Sequence, residues 1–260
     1  MLFRSADGLS VREAVAAFRS SSRIELPAPR YASKDLLGYV EVHIEQGPVL
    51  EKLGVPLGIV DAIAAQTRLV YTVEGKAGHA GTTPMNLRRD ALAGAAEMVL
   101  ALERLGLQAP GLVATVGQLQ VQPGASNVIP DAVRFSVDIR HPDRTMADQA
   151  CAQFATEGEA IAARRSLKVQ HKLVQSTDGV ICSARLVEQL ASAVEKQQSS
   201  VPHLVSGAGH DAILLSSVTP TAMLFVRCRD GLSHHPEEHV DLADIDAAIN
   251  ALTRFLENFA

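Results

Sequence analysis

The segment Gly38–Pro48, GYVEVHIEQGP, predicts the strand that opens an α/β domain. Its apolar residues alternate with polar ones, which is the two-residue period of a strand with one buried and one polar face. The alternating sets are Val40, Val42 and Ile44 on one face, and Glu41, His43 and Glu45 on the other. From these residues alone the polar row has two interpretations: a solvated sheet surface, or the edge of a metal site.

The block from about Gln66 to Asp178 predicts a second, separate domain of about 110 residues. A helix is predicted to start at Thr83-Pro84 and a second to cover Thr145–Ala163. Strands are predicted around Leu69–Val73, Val113–Val121, Val133–Ile139 and Leu167–Val174. The resulting order, β-α-β-β-α-β, is that of a ferredoxin-like sandwich, with two helices on one face of four strands.

After Asp178-Gly179 the chain again has the pattern of an α/β domain. The predicted elements are a helix Ser183–Lys196, a strand His203–Val205, a strand Ala222–Val226 and a helix from Asp241. The continuous apolar run AMLFV suits a strand that is buried on both faces. The simplest topology is one α/β domain built from residues 1–64 and 179–260, with residues 65–178 inserted as the sandwich.

The first residues predict a short helix and a loop. Ser10-Val11-Arg12-Glu13 has the form of a capping box, which predicts a helix from Val11 to about Arg19. The Ser- and Pro-rich segment Ser20–Ser33 predicts a loop.

Composition excludes several classes of protein. The chain has 260 residues, a net charge of −5 and no evident basic patch, so we do not expect a nucleic-acid partner. No apolar run reaches the roughly 18 residues of a membrane span, and Met1–Ser22 lacks the apolar core of a signal peptide. Cys151, Cys182 and Cys228 are odd in number and far apart. They predict reduced thiols in a cytoplasmic protein.

The segment Arg229–Val240, RDGLSHHPEEHV, follows the predicted buried strand directly. Ligands of open α/β sheets bind beyond the carboxyl ends of the strands, so this segment is a candidate site. A polar loop that leads into a helix is an equally good interpretation of these residues alone.

Two segments place a histidine among small residues. In Gly75–Met85, GKAGHAGTTPM, the glycines suit a backbone that presents His79, and the alternative is a surface histidine in a loop. In Ser206–Ala212, SGAGHDA, small residues would let the backbone approach a ligand. Here a structural role is favoured, with Asp211 as the cap of the next helix.

Asn127 and Arg140 stand at opposite ends of one predicted strand. An amide and a guanidinium can together hold a carboxylate, and arginine does so with two parallel hydrogen bonds. As isolated residues, both are more typical of an ordinary polar surface than of a binding site.

Read together, five of these segments resemble the M20-type amidohydrolases. HIEQGPVLE, GHAGTTPM, SNVIP, SGAGHDA and SHHPEE occur in this order. The closest branch contains the N-carbamoyl-L-amino-acid hydrolases (L-carbamoylases) and the allantoate amidohydrolases, and the resemblance extends from about Ala6 to the C-terminus. It implies part of a metallohydrolase α/β domain with an inserted ferredoxin-like lid that also forms a homodimer.

The resemblance also implies a metal centre. His43 would be a ligand to one divalent ion, and His234 a ligand to the other. The ions would be manganese, zinc, cobalt or nickel, all of which accept mixed nitrogen and oxygen ligands. The pair of ions would activate a water molecule that attacks a ureido or amide carbon.

The same resemblance implies a set of residues that contact a small ureido or carbamoyl carboxylate substrate. These residues are Gln46, His79, Asn127, Arg140, Gly207 and Gly209. Asn127 and Arg140 would hold the substrate carboxylate. His79 would be catalytic: it would polarise the scissile carbonyl, either within its own chain or from the partner subunit.

This chain departs from the family pattern in one respect. The family's first catalytic segment, with a His, a bridging Asp and a Glu-Glu pair, has no counterpart here, and Glu237-Glu238 belongs to the SHHPEE motif itself. We therefore expect a chain that lacks the N-terminal third and is incomplete for catalysis. Two alternatives stay open: a non-catalytic dimerisation or binding module, and a peptidase or aminoacylase of the same superfamily. Between the two ureido substrates, the sequence of the segment Met223–Val240, MLFVRCRDGLSHHPEEHV, slightly favours allantoate.

Overall fold

The computed structural model describes residues 9–10, 13–14, 16–17 and 36–259. The chain divides into two compact units, Met1–Leu36 and Leu37–Ala260. In the first unit, the predicted capping box is confirmed: the Ser10 N–H donates to Glu13 Oε2 at 2.7 Å, and the Glu13 N–H donates to Ser10 Oγ at 3.2 Å. The predicted end of this helix near Arg19 and the predicted loop 20–33 lie outside the described residues.

The second unit has a mixed α/β fold. Its strands are β1 Tyr39–Ile44, β2 Leu57–Ile63, β3 Ala65–Glu74, β4 Gly78–His79, β5 Val113–Thr115, β6 Leu119–Gln122, β7 Val128–Ile129, β8 Ala132–His141, β9 Lys168–Thr177, β10 Val180–Ile181, β11 His203–Ser206 and β12 Thr221–Val226. Its helices are α1 Val49–Leu53, α2 Ala91–Gln108, α3 Arg144–Arg164, α4 Ala184–Glu195, α5 Asp211–Leu215 and α6 Leu242–Glu257. Short 3₁₀ turns cover Met85–Leu87 and Arg229–Gly231.

The first sheet joins strands from both ends of this unit. Strand β12 pairs in parallel with β1 and antiparallel with β2, while β10 and β11 also pair with β2. All six side chains of β12 are buried, which confirms the prediction for the apolar run. Helices α4 and α6 close the core with Leu186, Leu190 and Phe255.

Strand β2, LGIVDAI, lies in the middle of this sheet and was not predicted. Six of its seven side chains are buried, so it lacks the alternation that identifies a half-exposed strand. Its position between β12 and β11 explains this pattern, because Leu57, Ile59, Val60 and Ile63 all belong to the first hydrophobic core.

The second sheet is antiparallel and has its own hydrophobic core. Strand β8 pairs with β3 on one side and with β5 and β6 on the other, and β9 pairs with the far side of β3. Helices α2 and α3 pack on one face, where Met98 and Phe154 meet Tyr71 and Phe135. The Tyr71 ring lies 5.0 Å from the Phe154 ring and 5.4 Å from the Phe135 ring, between centroids.

The predicted start of a helix at Thr83-Pro84 is wrong. Met85–Leu87 forms a single 3₁₀ turn, and α2 begins after Asp90, whose Oδ1 accepts the N–H groups of Leu92 and Ala93. An aspartate cap satisfies two of the free N–H groups of the first turn, which a proline cannot do.

The predicted single strand Val113–Val121 is also corrected, because it is divided into β5 and β6. Between them, the Gln118 N–H donates to the side chain of Ser136, while the Gln118 carbonyl oxygen accepts the Ser136 N–H. None of the helices in the described ranges is long and apolar enough to cross a membrane.

Candidate metal and substrate site

The three polar side chains at the end of β1 have different surroundings. The Glu45 carboxylate accepts the N–H groups of Val49 at 2.7 Å and Leu50 at 2.8 Å, so it caps α1. Glu41 and His43 instead lie beside the start of α5. Glu45 therefore has a structural role, and Glu41 and His43 remain as residues of the candidate site.

Glu41 and His43 form a cluster with His210, the residue that precedes α5. The donor atoms of the three side chains all lie within 4.8 Å of one another. The two imidazole rings meet edge to face, with centroids 4.7 Å apart and planes at 70°. His210 Nδ1 lies 3.7 Å from Glu41 Oε1, and the His210 side chain is 1% exposed.

Burial governs the charge of His210. Loss of solvent lowers the pKa of its imidazole, the neighbouring His43 lowers the pKa further, and the acids Glu41 and Asp211 offset only part of this. His210 is therefore a neutral imidazole near pH 7, which is the form that binds metal ions.

The sequence interpretation missed His210, because SGAGHDA was favoured as a structural segment. His234, which was predicted as a ligand of a second ion, is not part of this group: in the described residues, the group around His43 contains Glu41 and His210. A histidine next to three small residues was the only local signal, and it does not indicate which strand the side chain faces.

His234 lies in an exposed loop that packs against the end of β1. Gln46 Nε2 donates to Ser233 Oγ at 2.5 Å. A Cβ on Gly231 would lie 2.7 Å from the backbone of Gly47, so the two segments are in close contact. Gln46 and His234 both adopt left-handed backbone, with φ of 55° and 57°. Non-glycine residues in this conformation concentrate at functional sites.

Three of the predicted substrate residues line a single cleft of about 860 Å³. Gln46 comes from the end of β1, Arg140 from β8 and Gly207 from the end of β11. Arg140 Nη1 donates to the Gly207 carbonyl oxygen at 2.5 Å, which joins the two sheets across the cleft. A Cβ at Gly207 would meet no atom within 4 Å, so there is open space beside this residue.

The guanidinium of Arg140 is held by Asp138 on the same strand. Its Nε and Nη2 donate to the two carboxylate oxygens of Asp138 at 2.7 Å and 2.9 Å. Burial raises the pKa of Asp138, but hydrogen bonds from Arg140, Arg68 and Gln66 outweigh burial and the net pKa is lowered. Three of the five N–H groups of Arg140 are thus engaged, and one on each terminal nitrogen remains to bind an anion.

His79 and Asn127 are brought together elsewhere. They lie at adjacent ends of the paired strands β4 and β7, where the Ala80 N–H donates to the Asn127 carbonyl oxygen at 2.9 Å. His79 Nδ1 accepts the Gly81 N–H at 3.0 Å, so the proton of the neutral ring is assigned to its exposed Nε2. Neither residue is among those that line the cleft. The last predicted residue, Gly209, also lies outside the lining; a Cβ there would meet only the side chain of Ile213, at 3.9 Å.

Comparison with known proteins identifies the family. Residues 14–258 match the peptidase family M20/M25/M40, and the chain belongs to this family. Relatives include "Allantoate deiminase 2" from Glycine max, which is 43% identical over 260 residues, and the "N-carbamoyl-L-amino acid amidohydrolase" of Geobacillus stearothermophilus, which is 40% identical over 236 residues. These alignments cover 89% and 90% of this chain, and 53% and 57% of the two relatives.

Solved structures agree with this assignment. An amidase of the hydantoinase/carbamoylase family from Burkholderia multivorans superposes with a TM-score of 0.87 and 37% identity, covering 97% of this chain and 60% of that one. The chain spans about half the length of the curated relatives it matches.

Proposed function

We propose that this chain belongs to a metal-dependent hydrolase of linear C–N bonds in ureido or carbamoyl compounds, either allantoate or N-carbamoyl-L-amino acids. The observation that carries the proposal is the cleft in which Gln46, Arg140 and Gly207, from three distant parts of the chain, line one space. The names of the relatives, allantoate deiminase and N-carbamoyl-L-amino acid amidohydrolase, support the substrate class. Of the two, allantoate is the preferred candidate, on the sequence of the segment Met223–Val240, MLFVRCRDGLSHHPEEHV.

Arg140 and Asn127 bind the substrate carboxylate in this proposal. Arg140 has one free N–H on each terminal nitrogen, which suits a carboxylate bound through two parallel hydrogen bonds. Gly207 and Gly209 have no side chains, which leaves room for the substrate beside the polypeptide backbone. Asn127 lies beside His79, outside the cleft lining, so both residues reach the substrate from the partner subunit of a dimer or after the lid closes.

His79 polarises the scissile carbonyl. Its exposed Nε2–H is the donor that a developing oxyanion requires, and the Gly81 N–H holds the ring in the matching tautomer. In a carbamoyl substrate, hydrolysis consumes one water and releases the free amine, ammonia and carbon dioxide.

His43 and His234 hold divalent ions of the manganese, zinc, cobalt or nickel type. Such ions supply Lewis acidity and a water molecule of lowered pKa when they are bound. The donor chemistry around His43 fits such an ion, because a carboxylate and a second imidazole lie beside it. The contact between Gln46 and Ser233 supports a common site for His43 and the loop that carries His234.

Residues 65–178 form a ferredoxin-like lid and dimerisation domain between the two parts of the catalytic domain, 1–64 and 179–260. The separate hydrophobic cores of the two sheets support this division. Strand β9 supports a homodimer: it is an outer strand of ten residues whose Leu173 and Val174 side chains are each 55% exposed. The three cysteines are unpaired, which supports a cytoplasmic location.

Ammonia release from allantoate and from N-carbamoyl-L-amino acids tests the proposal. The chain is assayed with manganese or zinc, alone and together with the N-terminal segment of a full-length relative. Arg140→Ala should raise KM strongly, whereas Arg134→Ala, an exposed arginine on the same strand, should not. No release from either substrate class under both conditions would refute the hydrolase. Release from dipeptides or N-acetyl amino acids instead would indicate the peptidase or aminoacylase.

A second candidate function is a non-catalytic dimerisation module, which the long outer strand β9 favours. Light scattering after size exclusion would then report a dimer in the absence of any turnover. Leu173→Lys should dissociate such a dimer, and Leu107→Lys, at an exposed position on α2, should leave it intact. Metal-dependent turnover by the chain alone would exclude this function.

A further inference from the structure

A second guanidinium, that of Arg68, lies in the cleft beside Arg140. Both residues line the same space of about 860 Å³. Arg68 on β3 is paired directly with Asp138 on β8, and Arg140 stands two residues further along β8. Paired residues and residues two apart in a strand lie on the same face of a sheet, so both arginines are on one face. The wall of the cleft therefore carries two cationic side chains.

Asp138 holds the two guanidinium groups together. Its Oδ2 accepts a hydrogen bond from Arg68 Nε at 2.9 Å and one from Arg140 Nη2 at 2.9 Å. These two nitrogens therefore cannot be farther apart than twice that distance. Two cations share one carboxylate, so the group of three side chains keeps one net positive charge. The carboxylate of Glu45, also on the cleft, is already used by the N–H groups of α1.

Arg68 has hydrogen-bond donors that the protein leaves unused. Its Nε donates to Asp138, and its Nη1 donates to Gln175 Oε1 at 3.3 Å. Within the described part of the chain, its other three N–H groups have no partner. The Arg68 side chain is 46% exposed, against 27% for Arg140. Because an arginine can only donate, this part of the cleft suits a ligand group that accepts hydrogen bonds.

The spacing of the two arginines matches the size of allantoate. In this molecule the carboxylate carbon and the carbonyl carbon of either ureido group are three bonds apart, which is about 3–4 Å. One ureido group is the one that is hydrolysed, and the second remains beside the carboxylate. With the carboxylate on the free N–H groups of Arg140, the carbonyl oxygen of the second ureido group can accept from Arg68.

We propose that Arg68 is a specificity-determining residue, which donates to a carbonyl oxygen on the group beside the substrate carboxylate. This assignment rests on the proposed function and extends it to the substituent that is not hydrolysed. An apolar side chain in the same place covers the guanidinium without supplying an acceptor, which costs affinity. A site that hydrogen-bonds a substrate group discriminates strongly against the analogue that lacks this group. The cleft therefore favours allantoate over carbamoyl amino acids with apolar side chains.

A purely structural role for Arg68, as a brace for Asp138, is the alternative. Gln66 is such a brace: its Nε2 donates to the two carboxylate oxygens of Asp138 at 2.9 Å and 3.3 Å, and it does not line the cleft. Loss of a brace acts through Arg140 and weakens every carboxylate ligand by the same factor. Loss of a ligand contact weakens only those ligands that carry the acceptor. The two roles of Arg68 therefore differ in how they depend on the ligand.

Calorimetric titration of the full 260-residue chain with three probes tests the assignment. The probes are allantoate, N-carbamoyl-L-asparagine and N-carbamoyl-L-leucine. The last two have side chains with the same number and branching of non-hydrogen atoms, and only the first of these two offers an acceptor. We expect allantoate and the asparagine derivative to bind about 10-fold tighter than the leucine derivative, a low value for a charged hydrogen bond because Arg68 is half-exposed.

Arg68→Met should remove this preference. It should weaken binding of the two acceptor-bearing probes by about 10-fold and leave the affinity for the leucine derivative unchanged. Arg134→Met, at an exposed arginine on β8, should leave all three affinities unchanged. Gln66→Ala should change all three by the same factor. Far-UV circular dichroism checks that each variant is folded, and Arg68→Ala replaces Arg68→Met if the latter is not.

The role of Arg68 is refuted if Arg68→Met weakens all three probes equally, if the unaltered chain shows no preference, or if no probe binds. Ammonia release, measured in parallel, separates this result from the proposed function. Discrimination among the probes without ammonia release would refute the hydrolase and leave the role of Arg68 intact. Ammonia release with the same preference in Arg68→Met as in the unaltered chain would refute the role of Arg68 and leave the hydrolase intact.

Discussion

The substitution Asp138→Asn is expected to destabilise the chain at neutral pH and to lose this effect in acid. The Asp138 carboxylate accepts two hydrogen bonds from Arg140, at 2.7 Å and 2.9 Å, and one from Arg68 at 2.9 Å. Asparagine keeps one acceptor oxygen, but its NH₂ group faces the N–H groups of an arginine. The substitution therefore removes a charge-assisted pair and places donor against donor.

The expected cost is about 1–2 kcal/mol at pH 7, which combines the loss of a charged hydrogen bond with screening by solvent. The side chains of Asp138 and Arg140 are 23% and 27% exposed, so the pair lies between a surface and a buried ion pair. Because the folded pKa of Asp138 is lowered, the contribution is fully present above the unfolded pKa of about 3.9. It disappears as the pH falls through the lower folded value.

Urea unfolding followed by circular dichroism at pH 7, 5 and 3 measures this effect. The midpoint of Asp138→Asn should lie below that of the wild type by about 0.5 M at pH 7 and 5, and the gap should narrow at pH 3. Asp148→Asn is the matched control, because Asp148 is 56% exposed and pairs with Arg144 one helical turn away. An equal loss in the control, or a gap that persists unchanged at pH 3, would refute the reasoning.

Three further outcomes are expected. Phe154→Ala should cost about 3–5 kcal/mol in urea unfolding, since it empties a fully buried position against Tyr71, and a cost below 1 kcal/mol would contradict this packing. Gly75→Ala should lower the Tm, because a Cβ at this position would overlap the Arg89 carbonyl oxygen. Gly207→Ala should leave the Tm unchanged, because the space beside Gly207 is open. Equal effects of the two substitutions on the Tm would be inconsistent with these surroundings. Burial raises the pKa of Cys182 to about 11, so its thiol should react with Ellman's reagent at pH 8 only after unfolding, and rapid reaction in the native chain would disprove its burial.

Local patterns in the sequence identified the elements that local physics specifies. The Ser10–Glu13 capping box depends on residues three apart, and the structure contains both of its hydrogen bonds. The apolar run AMLFV predicted a strand buried on both faces, which is β12. The predicted helix start at Thr83-Pro84 was wrong, because the helix begins after Asp90, the residue whose side chain satisfies free N–H groups of the first turn.

Strand β2 depended on tertiary structure instead. A short continuous apolar run does not distinguish a strand from a buried helix, and only the pairing of β2 with β12 and β11 resolves this.

The candidate site also combines residues that the sequence indicated with contacts that only the tertiary structure shows. The sequence by itself indicated His43 on the polar face of a strand and Arg140 at the end of another as candidate residues, but it favoured a structural role for SGAGHDA and so missed His210. Only the tertiary structure decided which of them meet. Glu41 accepts the Ala212 N–H, so β1 is joined to the start of α5 and His210 is brought against His43. Such a meeting depends on the order and register of the strands in the first sheet and on the path of the chain between them, and neither is encoded in the spacing of residues along a single segment.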